Sequence, residues 1–228
     1  MGRERGRMPR FRDRLEAGEE LAEALAELNA TDAVVLGIPR GGVVVAHEVA
    51  VRLGAPLEVL VVRKLGYPGR EEAGFGAVGE DGAIVPESLQ SLEEQDAGFE
   101  LVRDAVDARR AEVEARVQRY RAGRDRARIE GASAIVVDDG IATGYTFAAA
   151  LAIARTQRPR LLVGAAPVAS GEGAALVAGH CDELVTVGTA SRGLFFAVSV
   201  YYDDFPQVSD DEVVRILVGG GREARGER

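Results

Sequence analysis

Apolar runs and helical patterns alternate along most of this chain. Ala33–Ile38 (AVVLGI) is continuously apolar and closes on the turn residues Pro39-Arg40-Gly41-Gly42, which predicts a strand, a turn and a helix to about Leu53. Leu57–Val62 predicts a second strand. Ala134–Val137 predicts a third, ending at Asp138 before a helix that begins near Thr143. Leu161–Ala165 and Glu183–Val187 predict two more short strands. Strands that are apolar on both faces and alternate with helices form a parallel sheet covered on both sides. The expected class is therefore α/β, and ligands of such sheets collect at the carboxyl ends of the strands.

Three stretches depart from this alternation. Residues 12–29 carry Leu15, Leu21, Leu25 and Leu28 at near-helical spacing and predict a helix. Arg63–Ser88 is rich in Gly and charge and reads as a flexible loop, within which Gly74–Val85 predicts a hairpin turning at Asp81-Gly82. Residues 87–128 predict a long helix whose stripe of Leu92, Phe99, Val102, Val106, Val113, Val117 and Tyr120 packs against the body or a second subunit. One domain is expected over residues 1–218, with the Gly-rich, charged residues 219–228 as a disordered tail.

Composition narrows the function classes. Of 228 residues 46% are hydrophobic, enough for a sizeable core, and the net charge of -9 argues against non-specific nucleic-acid binding. The single cysteine, Cys181, forms no intrachain disulfide, which suits a reducing compartment. The apolar runs reach only about ten residues, short of a membrane span, and the basic start MGRERGRMPR lacks the apolar segment of a secretory signal. A cytoplasmic protein with neither membrane nor nucleic-acid partner is expected. Lys64 is the only lysine and Asn29 the only asparagine, a bias that fits either a thermophile or a genome's base composition.

Several local motifs carry little. Gly74–Gly79 matches GxGxxG literally, but a charged loop precedes it and a turn follows, so a hairpin explains it better than a dinucleotide site. His180-Cys181-Asp182 has no partners at ligand spacing, and two histidines with one cysteine cannot build the usual zinc cages. His47 reads as packing or surface, and Arg119–Arg128 as a solvated face.

Ala134–Thr146 (AIVVDDGIATGYT) is different. An apolar strand ends in two aspartates, then small residues, two threonines and a helix start. Gly140, Ala142 and Gly144 let the backbone curl around a ligand, and the amides of Ile141–Thr146 can converge on an anion at the helix N-terminus. Two carboxylates beside a phosphate repel it unless they face ribose hydroxyls, Mg²⁺ or a developing positive charge. The plainer readings are a helix-capping loop or a receiver-like acidic pocket.

This string resembles the phosphoribosyl pyrophosphate (PRPP) signature of type I phosphoribosyltransferases. Ile38–Gly42 resembles that family's pyrophosphate loop, Arg63–Val85 its flexible loop, and Phe195–Phe205 (FFAVSVYYDDF) the hood that covers the base. With FRDRLEAGEELAEAL near the start, the pattern looks like a bacterial subgroup known only as predicted phosphoribosyltransferases. The resemblance implies a parallel-sheet core with a small hood, near residues 188–208, and an inserted long helix. It implies transfer of 5-phosphoribose between PRPP and a nucleobase-like acceptor, with Mg²⁺ as cofactor and a homodimer as the assembly. Asp138 and Asp139 then bind the ribose hydroxyls and help hold Mg²⁺, and Lys64 joins them in catalysis. Gly140, Ile141, Ala142, Thr143, Gly144, Tyr145 and Thr146 take the 5-phosphate. Pro39, Arg40, Gly41 and Gly42 take pyrophosphate, with a cis bond expected at Pro39–Arg40. In the hood Phe196 stacks on the base with Asp203 nearby, Tyr201 and Tyr202 being alternatives for the stack. The chain departs from better-known members in the length of 87–128 and in having no lysine in the hood. The rival classes are a PRPP- or nucleotide-sensing regulator without turnover on the same fold, and an interaction module built on the long helix.

Overall fold

The computed structural model describes residues 8–28, 30, 32–67, 70–80, 82–84, 97–191 and 193–223. Its centre is a five-stranded parallel sheet made of β1 (Ala33–Gly37), β2 (Leu57–Val59), β6 (Ser133–Val137), β7 (Leu161–Ser170) and β8 (Glu183–Ala190), in the order β2-β1-β6-β7-β8. The apolar runs do what their two-sided character predicts. Val34 and Leu36 of β1 join Val136, Leu162, Phe147 and Leu151 on one face, while Val35 joins Ile135, Val163, Leu21 and Val45 on the other. Helices α1 (Arg14–Leu25) and α2 (Gly41–Leu53) cover the second face, and α4 (Tyr145–Thr156) the first.

The second predicted strand is shorter than expected. After Val59 the chain leaves the sheet, and at Val62 it begins a separate antiparallel sheet of β3 (Val62–Tyr67), β4 (Arg70–Gly79) and β5 (Gly82–Ile84). The expected turn between Gly79 and Gly82 is present, although Asp81 itself lies outside the described residues. The stretch expected as a flexible loop is strand or turn wherever it is described up to Ile84. The burial of β3 explains this: Val62 and Leu65, on opposite faces, are buried while Lys64, on the face of Val62, is exposed, so no regular alternation marks the strand.

The long helix, α3, spans Ala97–Arg121, and Leu92 lies outside the described residues. Val113, Val117 and Tyr120 are buried with Leu65 and Val78 of the small sheet and with Val213 and Leu217 of α6 (Asp210–Glu223). The described part of the stripe, from Val106 to Tyr120, therefore packs against the body. The helix stops seven residues earlier than predicted, where Ala122 and Gly123 take positive φ. At its end Arg121 bonds both the buried Glu58 (3.2 Å) and Glu80, and Glu58 also accepts the amides of Val59 and Ala127. The residues expected as a tail from 219 are helical as far as Glu223, where α6 ends, and 224–228 lie outside the described residues.

Candidate active site

The carboxyl ends of β1 and β6 bring two loops together. β1 leads through the cis Pro39–Arg40 peptide into α2, and β6 leads through Asp138–Gly144 into α4. The strands pair from Ala33↔Ser133 to Gly37↔Val137, so both chains leave the sheet at one level. The approach is close enough to require glycine. A Cβ on Gly42 would lie 2.7 Å from Asp138 Cα and 2.8 Å from the Val137 carbonyl oxygen, and one on Gly41 would strike the Asp139 carboxylate. The expected pyrophosphate loop and the aspartate pair are thus in contact.

Both helices at this edge have open amino ends. Neither α2, entered through Arg40, nor α4, entered through Gly144 at φ 82°, has a side-chain cap, and neither has an acidic residue in its first turn. By contrast Asp13 caps α1, and Ser170 caps α5 (Gly171–Ala178). Uncapped first-turn amides with a positive dipole end suit an anion. One part of the sequence expectation needs correcting. Ile141 does not contribute its amide to such a cradle, because it donates to the Val168 carbonyl (2.8 Å) while its side chain is buried in the core. Ile141 pins the loop to β7, and Ser170, whose hydroxyl bonds the Ala142 carbonyl, holds it from α5. Ala142, Thr143, Tyr145 and Thr146 are exposed, whereas Gly140 packs under Val198 of the hood.

The aspartates are unequal. Asp138 accepts the Asp139 amide (2.8 Å), and among the described residues no ion pair reaches it. Burial first, and then the neighbouring Asp139 charge, push its carboxyl well above the ordinary range. Burial also raises Asp139, but Arg14 opposes that shift, its Nε lying 2.8 Å from Asp139 Oδ2. Arg14 was not anticipated from the sequence. A signal existed, because Arg14 is in phase with Ala17, Leu21 and Leu25 on the buried face of α1. A charged residue on an apolar stripe marks a buried partner.

Lys64 is exposed on β3 with its ammonium 5.5 Å from the centre of the Tyr145 ring, so the small sheet reaches the loop at α4. Arg40 is exposed and 3.9 Å from Asp210 of α6. Among the described hood residues Phe196 offers an open ring, at 87% exposure. Tyr201 stacks on Phe195 and Tyr202 is buried between Phe11 and Phe205, its hydroxyl spent on the Asp139 carbonyl. Neither tyrosine presents a free face for a base. Asp203 is ion-paired with Arg10.

Among the described residues no group of three or more His, Cys, Asp or Glu side chains could hold a metal. That leaves a two-carboxylate site, which suits Mg²⁺, an ion commonly held by one or two carboxylates together with water and substrate phosphates.

A family model for the phosphoribosyl transferase domain matches residues 12–202, from the start of α1 to the hood. The chain belongs to the phosphoribosyl transferase family. Two Mycobacterium tuberculosis proteins, of strains H37Rv and CDC 1551, each named "Putative phosphoribosyl transferase", are 47% identical over 212 residues. The match takes in 92% of this chain and 47% of each relative, so the chain spans about half the length of these relatives. The crystal structure of TT1426 from Thermus thermophilus superposes with a TM-score of 0.82 at 43% identity, covering 92% of this chain and 98% of that one. The parallel five-stranded phosphoribosyltransferase core expected from the sequence is therefore present. No described helix is long and apolar enough to cross a membrane.

Proposed function

We propose that this phosphoribosyl transferase domain moves 5-phosphoribose from PRPP to a nitrogenous acceptor and releases pyrophosphate. The observation that carries this reading is the order of groups along one edge of the sheet. The open end of α2 at Gly41-Gly42 and the open end of α4 at Gly144–Thr146 flank the half-buried Asp138–Asp139 pair. PRPP has the matching order of diphosphate, ribose hydroxyls and 5-phosphate.

In this reading Gly41, Gly42 and Arg40 bind the diphosphate, and the amides and hydroxyls of Thr143–Thr146 bind the 5-phosphate. Asp138 and Asp139 accept hydrogen bonds from the ribose hydroxyls. The bond from the anomeric carbon to the diphosphate oxygen breaks, pyrophosphate leaves with the electron pair, and the acceptor nitrogen forms the new bond and then gives up its proton. Ribose carries oxocarbenium charge at the transition state, and fixed carboxylates stabilise that charge more than they stabilise the ground state. Mg²⁺, held at Asp138 and Asp139 directly or through water, would neutralise the departing pyrophosphate. Lys64 stands beside Tyr145 to meet an anion from the small sheet, and Phe196 offers its open face to the acceptor.

The test is a panel assay. The protein is incubated with Mg²⁺, PRPP and each of adenine, guanine, hypoxanthine, xanthine, uracil and orotate, and pyrophosphate and nucleotide are measured together. Equimolar pyrophosphate and nucleotide with at least one acceptor supports transfer. PRPP binding without product from any acceptor would point instead to a sensor on the same fold.

A further inference from the structure

We infer that Arg14 is a positioning residue that divides the work of the aspartate pair, a reading that rests on the function proposed above. It keeps Asp139 as a charge-paired, fixed acceptor and leaves Asp138 as the carboxylate that meets the cation.

The guanidinium is held on three sides. Nε donates to Asp139 Oδ2 (2.8 Å), Nη1 donates to the Pro206 carbonyl (2.8 Å), and the planar group lies 3.7 Å from the centre of the Phe205 ring. Its side chain is only 8% exposed. Two of the three contacts do not involve a carboxylate, so a cation arriving at the pair does not remove what holds Arg14. A planar fork can donate in two directions while stacking on an aromatic face, which a lysine ammonium cannot do. The space is made by Gly41, whose missing Cβ would lie 3.0 Å from Arg14 Nε and against the Asp139 carboxylate.

Asp138 is placed otherwise. Its Oδ1 takes the Asp139 amide, and among the described residues it has no ion pair of its own, feeling the Arg14 charge without contact. Two adjacent half-buried carboxylates with no cation repel each other when both are ionised, and the one guanidinium offsets one of those two charges. Arg14 thereby limits how strongly the empty pair attracts a divalent ion, so that tight metal binding waits for the diphosphate and ribose oxygens of the substrate.

The test separates this role from a merely structural one by measuring metal binding without substrate. Mn²⁺ is titrated into the protein and the free ion followed by electron paramagnetic resonance. PRPP binding in Mg²⁺ is followed by calorimetry, and circular dichroism checks folding. Arg14→Gln is expected to bind Mn²⁺ at least about tenfold more tightly than the wild type, because a compensating charge within contact distance is gone. The same variant is expected to bind PRPP in Mg²⁺ about tenfold more weakly, because Asp139 loses its fixed orientation. Arg14→Lys keeps Mn²⁺ binding at the wild-type level. Asp139→Asn, which leaves the guanidinium unopposed beside Asp138, lowers Mn²⁺ affinity, and combining it with Arg14→Gln returns that affinity to the wild-type level. A folded Arg14→Gln protein with wild-type or weaker Mn²⁺ affinity would overturn the inference, as would a double variant that binds Mn²⁺ no better than Asp139→Asn alone. Should Arg14→Gln fail to fold, Asp139→Asn decides: unchanged or raised Mn²⁺ affinity overturns the inference. If the wild type binds no PRPP, the proposed function fails, while the Mn²⁺ comparison still judges Arg14.

Discussion

The hydroxyl of Tyr202 donates to the backbone carbonyl of Asp139 at 2.6 Å, tying the hood to the exit of the central strand. Its ring lies 5.5 Å from Phe11 and 4.8 Å from Phe205, and burial pushes its phenol upward, so it remains a donor across the accessible pH range. Tyr202→Phe keeps the ring and removes the bond. It is expected to cost about 1–2 kcal/mol, read as a drop of about 2–8 °C in Tm for a chain of this size. A residue that stacked on a base would lose nothing in such a melt.

Gly42→Ala sets two effects of opposite sign against each other. Within a helix, alanine is favoured over glycine by about 1 kcal/mol. Here the new Cβ would meet Asp138 Cα at 2.7 Å and the Val137 carbonyl at 2.8 Å, and backbone atoms cannot swing aside. Overpacking costs about 1–3 kcal/mol, so the clash is expected to win. Denaturant unfolding should show a less stable protein, and calorimetry should show weaker PRPP binding as Asp138 is pushed out of place. A more stable Gly42→Ala protein would mean that the two loops are not in contact.

Asp210 gives the inserted helix a link to the site. It accepts the Tyr120 hydroxyl (2.7 Å) and Arg119 (2.9 Å) from α3 and stands 3.9 Å from Arg40. The Tyr120 hydrogen bond first, with the nearby arginines, holds its carboxyl below the ordinary value. A carboxyl lowered by folding contributes stability above its ordinary pKa, near 3.9, and that stability is lost as pH falls through the folded value. Thermal melts of Asp210→Asn and wild type are therefore expected to differ at pH 7, with the variant lower by roughly 2–4 °C, and to converge as pH falls through the lowered folded value. A constant gap at every pH would assign the effect to shape rather than charge.

What could be read from the sequence was local. Ala134–Thr146 announced its strand, carboxylates, small-residue turn and helix start because each is set by neighbours within a few residues. The five parallel strands were visible because burial on both faces leaves continuous apolar runs. Arg14 and Asp139 are 125 positions apart, and only the fold brings them together. Lys64 lay in a segment read as loop because β3 buries Val62 and Leu65 on opposite faces and exposes Lys64 beside Val62, which leaves no alternation to read. The end of α3 escaped for a similar reason, since Arg121 is caught by Glu58, 63 positions earlier. The tyrosines of the hood looked like stacking candidates by residue type, but their ring neighbours were not legible.

The aspartate pair carries the central claim, and calorimetry on wild type and the Asp138→Asn, Asp139→Asn double variant tests it most directly. PRPP is titrated with Mg²⁺ and with chelator, and inorganic phosphate is titrated alongside. The wild type is expected to bind PRPP with Mg²⁺ and much more weakly without it. The double variant keeps shape but loses two charges, so PRPP binding in Mg²⁺ should weaken by about 1–3 kcal/mol for each charge-assisted hydrogen bond lost. Inorganic phosphate should bind as well or better, because repulsion beside the α4 amino end has fallen. A double variant that binds PRPP in Mg²⁺ as tightly as the wild type would contradict the account.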